Sequence, residues 1–93
     1  KFLPVRRDLA MVVDQNISAQ AMIEAIIAEK IPHLQTVKLF DVYQGKGVPE
    51  NKKSLAFLVL MQDTAKTMVD EEVDTIVAQI LKNWSSNFSA VLR

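Results

Sequence analysis

The sequence predicts an α+β domain in which two helices cover one face of a four-stranded antiparallel sheet. Three observations carry that expectation. Residues 54–61 form a β-prone run whose bulkier side chains alternate. Val73, Ile76, Val77, Ile80, Leu81 and Trp84 recur at steps of three and four, and both glycines, Gly45 and Gly47, fall in one connection between apolar runs. A period of two marks a strand, a period near 3.6 marks a helix, and closely spaced glycines mark a loop.

Leu9-Ala10-Met11-Val12-Val13 reads as the first strand, and Asp14-Gln15-Asn16 turns the chain out of it. Ser18 is a good N-cap, since a serine oxygen accepts from the unpaired N–H groups of a first helical turn. Ile17 and Met22 hold the two positions of a hydrophobic staple around it. Met22, Ile23, Ile26 and Ile27 then share one face. Pro32 is expected to end this helix, because proline disfavours helical geometry in the residue before it. Residues 37–43 and 54–61 form the second and third strands, with a wide hairpin loop between. In the second helix, Asp70, Glu71 and Glu72 occupy the first turn, where carboxylates suit the positive end of the helix dipole. Its apolar residues make a broad stripe. Ser89-Ala90-Val91-Leu92-Arg93 is short and β-prone, and reads as an edge strand. This order is the ferredoxin-like βαββαβ pattern. Right-handed crossovers place both helices on one side and give the strand order fourth, first, third, second.

Ninety-three residues make one domain, residues 1–93, with no repeat or linker inside it. The chain starts at Lys1 without an initiating Met, so it is expected to be a piece of a longer protein or a processed product. Cysteine is absent, which removes disulfides, thiolate metal sites and a thiol nucleophile. Eleven basic and eleven acidic side chains cancel, and strong non-specific nucleic-acid binding normally needs a basic excess. Lys1, Arg6, Arg7, Lys46, Lys52 and Lys53 nevertheless lie in the N-terminal arm and the loop, while Asp70, Glu71, Glu72 and Asp74 crowd one helix start. A neutral chain can thus be electrically two-sided. No apolar run approaches the roughly 20 residues of a membrane span, so no membrane contact is expected.

One sheet face is left uncovered by the helices. Leu55, Phe57, Val59 and Met61 are the bulkier set of the third strand and should point at the helices, leaving Ser54, Ala56, Leu58 and Leu60 open. In the first strand, Leu9, Met11 and Val13 point inward, and Asp8, Ala10 and Val12 are open. In the second, Phe40 and Val42 point inward, and Asp41 and Tyr43 are open. Tyr43 beside the small residues Ala10, Ala56 and Ser54 offers a shallow surface on which an unpaired base can stack, with cations nearby. The same residues also fit a long hairpin loop kept soluble by its lysines. Leu58 and Leu60 are either a contact for another protein surface or scattered surface apolar groups.

Other chemistry finds little footing. His33 is the only histidine, and without cysteine it has no partner for a transition-metal site or a nucleophilic dyad. Gly45-Lys46-Gly47 joins two strands, opens no helix and lacks the spacing of a phosphate-binding loop. The acidic cluster suits a solvated helix start, and Trp84 suits the core.

Several segments in register resemble a known family. They are Pro4-Val5-Arg6-Arg7-Asp8-Leu9-Ala10, Phe40-Asp41-Val42-Tyr43-Gln44-Gly45, Lys52-Lys53-Ser54-Leu55-Ala56, Asp70-Glu71-Glu72-Val73 and Leu92-Arg93. Together they are similar to the ferredoxin-fold anticodon-binding domain that ends the beta chain of bacterial phenylalanyl-tRNA synthetase. The related organellar single-chain enzyme carries a similar domain. The resemblance implies a non-catalytic module that meets the anticodon region of tRNA(Phe) within a cytoplasmic α2β2 enzyme, beside an alpha subunit. It implies no cofactor in this domain, and ATP and magnesium in the parent enzyme. It implies that Tyr43 stacks on an anticodon base and that Asp41 and Ser54 hydrogen-bond base edges. Ala56 belongs to the same surface, and Lys46, Lys52 and Lys53 are the loop cations. Arg6 and Arg7 match the family's basic pair, for phosphate contact, or in the case of Arg7 for an ion pair with Asp41 or Asp8. The chain departs from the family at Val69, where a threonine usually caps the helix, so that Asp70 or Thr67 is expected to cap. It departs again at Leu58 and Leu60, where polar residues are common.

Two other classes of function share this element order. A small-molecule sensor of ACT type usually carries a glycine in the turn after the first strand, and Asp14-Gln15-Asn16 has none. A purely structural interaction domain would use Leu58 and Leu60.

Overall fold

A computed structural model describes residues 2–93; Lys1, counted among the expected cations, lies outside the described residues. The elements run β1 (Val5–Asp14), α1 (Ala19–Ile27), β2 (Leu34–Tyr43), β3 (Lys52–Met61), α2 (Asp70–Phe88) and β4 (Val91–Leu92). The sheet order is β2-β3-β1-β4 and every pair is antiparallel, as the crossover argument requires. β1 is longer than its apolar stretch because Val5 to Asp8 pair with Met61 to Leu58. The ladder recruits polar residues that alternation alone leaves out.

Leu9, Met11 and Val13 from β1 and Leu55, Phe57, Val59 and Met61 from β3 are all buried. They form one cluster with Met22 and Ile26 of α1 and Val73, Ile76, Ile80 and Trp84 of α2, so both helices lie on the same face. Trp84 joins the layers. Its ring lies 4.6 Å from that of Phe57, and its indole N–H donates to the Met22 carbonyl at 2.9 Å. A buried indole without such an acceptor would carry a desolvation penalty, so this bond orients α2 against α1.

Three local expectations are corrected. Ser18 does cap α1, accepting from the Ala21 N–H at 3.0 Å. The helix, however, stops at Ile27, well before Pro32, through a turn in which Glu29 and Lys30 donate back to Ile26 and Ile27 and Lys30 adopts φ 52°. Ile27 itself is 63% exposed, off the apolar face assigned to it. Neither Asp70 nor Thr67 caps α2. The N-cap is Val69, which has no acceptor of its own, and Glu72 reaches back from inside the helix to accept the Val69 N–H at 3.1 Å. That is the Glu half of a capping box.

β4 is also shorter than expected. Ser89 takes the left-handed conformation, φ 53°, its N–H donating to the Ser85 carbonyl and that of Ala90 to the Trp84 carbonyl. This C-terminal lock turns the chain so that Leu92 and Val91 pair with Met11 and Val12.

Candidate nucleic-acid interface

Residues opposite one another in an antiparallel pair project from the same face, so the ladder defines the uncovered surface. Asp41, Ala56 and Ala10 form one row across it, and Tyr43, Ser54 and Val12 form another. Both rows face away from Leu55, Phe57 and Val59. The alanines carry only a methyl group each, so the middle of the face is low.

Two long side chains meet above that floor from opposite edges of the sheet. Arg93 follows β4, with its N–H donating to the Ala10 carbonyl at 2.8 Å. Its guanidinium lies 4.7 Å from the centroid of the Tyr43 ring on β2. Three strand spacings, about 14 Å, separate those edges, and a bulky residue at Ala10 or Ala56 would stand in the way. The cation sits on the negative face of the phenol ring, a contact worth roughly 0.5–1 kcal/mol at an exposed site.

Tyr43 is held from its other end as well. Its hydroxyl donates to the Lys46 carbonyl at 2.8 Å. Gly45, at φ 154°, passes so close that a Cβ there would stand 3.2 Å from the hydroxyl oxygen. The 44–51 loop is itself folded: Val48 is buried and donates to the Gly45 carbonyl, Lys52 donates to the Pro49 carbonyl, and the Gln15 N–H donates to the Asn51 carbonyl. The glycines thus let the loop wrap the phenol.

The expected site residues are only partly brought together. Asp41, Tyr43 and Ala56 stand on the open face, with an Asp41 oxygen accepting the Val42 N–H at 3.0 Å. Ser54 is on the expected face but only 3% exposed, so in this arrangement it is covered and not offered to a base edge. Lys46 is exposed in the loop, whereas Lys53 lies opposite buried Val13, on the helix side of the sheet, and Lys52 lies opposite Asp14. Arg6 and Arg7 sit at the other end of β1, paired with Leu60 and Val59. Eight residues of strand, about 27 Å, separate Arg6 from Asp14. The cations therefore do not form the single basic side that their sequence positions suggested. Arg7 also points to the helix-side face with Val59, and it is Arg6, not Arg7, that pairs with Asp8, at 2.8 Å. That hydrogen bond raises the already high pKa of Arg6 further.

Phe40 departs most from expectation. A β-bulge between Leu39 and Asp41 sets two residues of β2 against Ala56. Such a bulge breaks the alternation and re-aims a side chain. Phe40 leaves the helix face, is 51% exposed, and has the Arg6 guanidinium 5.7 Å from its ring centroid. Arg6 stands in the open-face row of Leu60, so the ring belongs to that face. Leu39 takes the inward place instead, packed against the core. Val42 keeps its helix-side position opposite Leu55 but stays exposed at the sheet edge. The motif reading passed over Phe40, and it gave Arg93 no role although Leu92-Arg93 was part of the resemblance.

The family profile described as "Ferredoxin-fold anticodon binding domain" matches residues 1–93. The chain belongs to that family. It is 50% identical over 93 residues to the phenylalanine–tRNA ligase beta subunit of Dechloromonas aromatica (strain RCB). It is 45% and 46% identical, over the same span, to the beta subunits of Nitrosospira multiformis and Chromobacterium violaceum. Each alignment takes in the whole chain and 12% of the relative, so the chain spans about an eighth of the curated relatives it matches.

Membership in the anticodon-binding family settles the class against the amino-acid sensor and the purely structural domain. Among the described residues of this anticodon-binding domain, no group of three or more His, Asp or Glu side chains is arranged to hold a metal ion. His33 approaches Asp63 at 3.7 Å, and Asp63 is occupied in accepting the Ala65 N–H. No described helix is long and apolar enough to cross a membrane.

Proposed function

We propose that this domain receives unpaired anticodon bases of tRNA(Phe) on its open sheet face, as part of a phenylalanine–tRNA ligase beta chain working with an alpha subunit in a cytoplasmic α2β2 assembly. The observation that carries the reading is the Tyr43 ring held edge and tip by the 44–51 loop beside the low Ala10–Ala56 row, with the Arg93 guanidinium above it. A base has to lift that guanidinium to stack. The exchange is favourable, since base–aromatic stacking contributes about 1–3 kcal/mol and the cation contact less. Asp41, one row away, can accept from a base amino or imino group. Arg93, once lifted, remains beside the base and its phosphate.

On this reading ATP and magnesium act in other parts of the parent enzyme. The domain contributes position and discrimination, and the reacting atoms lie elsewhere. With zero formal charge and its cations spread along the sheet, the domain should bind RNA weakly and with a shallow salt dependence.

Tyr43→Ala in the full enzyme tests the reading. Recognition of the correct anticodon should weaken by about 1–3 kcal/mol, the stacking magnitude, while ATP-dependent activation of phenylalanine stays unchanged. A folded variant that still separates correct from incorrect anticodons as well as the parent would sink it.

A further inference from the structure

We propose that the open face carries a second nucleotide-stacking subsite, built from Phe40 with Arg6 and Asp8, for an unpaired nucleotide next to or near the one taken by Tyr43. The inference rests on the RNA-binding reading above and extends it to residues that reading does not use.

The bulge is the first support. Counted back from helix-side Val42, alternation would turn Phe40 to the helix side as well, where an aromatic ring has apolar neighbours. The register shift between Leu39 and Asp41 instead delivers the ring to the open face, half in water, while Leu39 fills the inward place. The core is complete without Phe40. Exposing an aromatic ring forgoes its burial, and a bulge interrupts the ladder, so a feature that does both is best explained by what the ring meets.

The second support is the chemistry around the ring. Asp8 holds Arg6 through two hydrogen bonds, from Nε at 2.8 Å and from Nη2 at 3.3 Å. The guanidinium so fixed lies over the Phe40 ring. This repeats, on the same strand, the arrangement of Arg93 over Tyr43. A planar cation above an aromatic plate suits a nucleotide, because the base can stack on either plane and the phosphate can pair with the cation. Phe40 precedes Tyr43 by three residues, roughly 10 Å of strand, with Asp41 between them. A single strand splayed across the sheet can reach both rings, the way sheet platforms with two aromatics take successive bases.

A third observation sets the limit of the site. Leu58 and Leu60, half-buried on the same face, supply an apolar wall but no hydrogen-bonding group. With both Asp8 oxygens already accepting from Arg6, recognition at Phe40 should be tolerant of base identity, whereas Asp41 makes the Tyr43 position selective.

The test uses Phe40→Ala, Phe40→Trp and Tyr43→Ala in the full-length parent protein, with the 93-residue chain in parallel and its fold checked by circular dichroism. The probe is a fluorescently labelled anticodon stem-loop RNA, in matched and anticodon-substituted versions. Phe40→Ala should weaken binding of both versions about fivefold or more. Phe40→Trp should restore it, and Tyr43→Ala should lose discrimination. The Arg6 Nε–H resonance should shift on adding RNA to the wild-type chain and stay put in Phe40→Ala. If Tyr43→Ala weakens binding but folded Phe40→Ala does not, the second subsite is wrong and the first stands. If neither variant matters, or the RNA does not bind, both readings fail. If Phe40→Ala leaves RNA binding intact and loosens assembly of the parent protein, the ring is a protein contact and the proposal is overturned.

Discussion

The Arg93 guanidinium lies 4.7 Å above the centre of the Tyr43 ring, so the aromatic face that would receive a base is covered by the protein's own cation. The contact joins the two edge strands of the sheet. It is weak enough to exchange and close enough to matter.

Arg93→Ala should therefore do two things. The free domain should lose no more than about 0.5–1 kcal/mol of stability, the value of an exposed cation–π contact. Binding of an anticodon stem-loop should weaken several-fold, because the displaced guanidinium would otherwise stay beside the base and phosphate. Fluorescence anisotropy titrations measure the second effect. Tighter binding by the variant would mean that Arg93 only obstructs the ring.

Gly45→Ala tests the clamp on the phenol. The new methyl would stand 3.2 Å from the Tyr43 hydroxyl oxygen, on a backbone at φ 154° that side-chain-bearing residues rarely adopt. The Tyr43 hydroxyl must then give by a few tenths of an ångström against its bond to the Lys46 carbonyl, on top of the backbone strain. A destabilisation of about 1–3 kcal/mol is expected, read from denaturant unfolding, with altered Tyr43 ring resonances. Gly47 has open space around its Cβ direction but φ 90°, so alanine there should cost backbone strain without disturbing Tyr43.

Ser89→Gly should stabilise the domain. Ser89 holds φ 53° at the C-terminus of α2, where a Cβ is unfavourable. Relief of that strain, about 1–2 kcal/mol, outweighs the extra freedom glycine gives the unfolded chain, leaving a net gain of about 0.5–1 kcal/mol. Thermal unfolding checks it, and a lower melting temperature would show that the Ser89 side chain contributes more than its backbone costs.

Acid should weaken the start of α2. The Lys66 ammonium, donating at 2.6 Å, and then the Val69 N–H hold the Glu72 carboxyl below its ordinary 4.5. A carboxyl whose pKa is lower when folded binds fewer protons in the native state, so its contribution is present above that ordinary value. It is lost as pH falls through the lowered one. Glu29 behaves in the same direction, held by the Gln79 amide and then by Asn83. Glu72→Gln should thus be less stable than wild type at neutral pH, and the two melting temperatures should converge as the carboxyl protonates. A difference independent of pH would remove the charge from the explanation.

The period-two run of β3 and the apolar stripe of α2 were legible because each is a local pattern that needs only its own neighbours. Together with the glycine loop they dictated the element order, and the order dictated the β2-β3-β1-β4 sheet through the handedness of its crossovers. The motif around Asp41 and Tyr43 likewise pointed to the open face before any coordinate. Tertiary structure decided what pairing and distance decide. Phe40 changed sides because the bulge belongs to the register between β2 and β3, and alternation within β2 cannot reveal a partner's extra residue. Arg93 reached Tyr43 because β4 returns to the far edge of the sheet and two alanines leave the path clear, a relation between residues fifty positions apart. Ser54 became covered, and the cations drew apart along β1, for the same reason. Neighbours in a list become neighbours in space only after the ladder has set which ends meet.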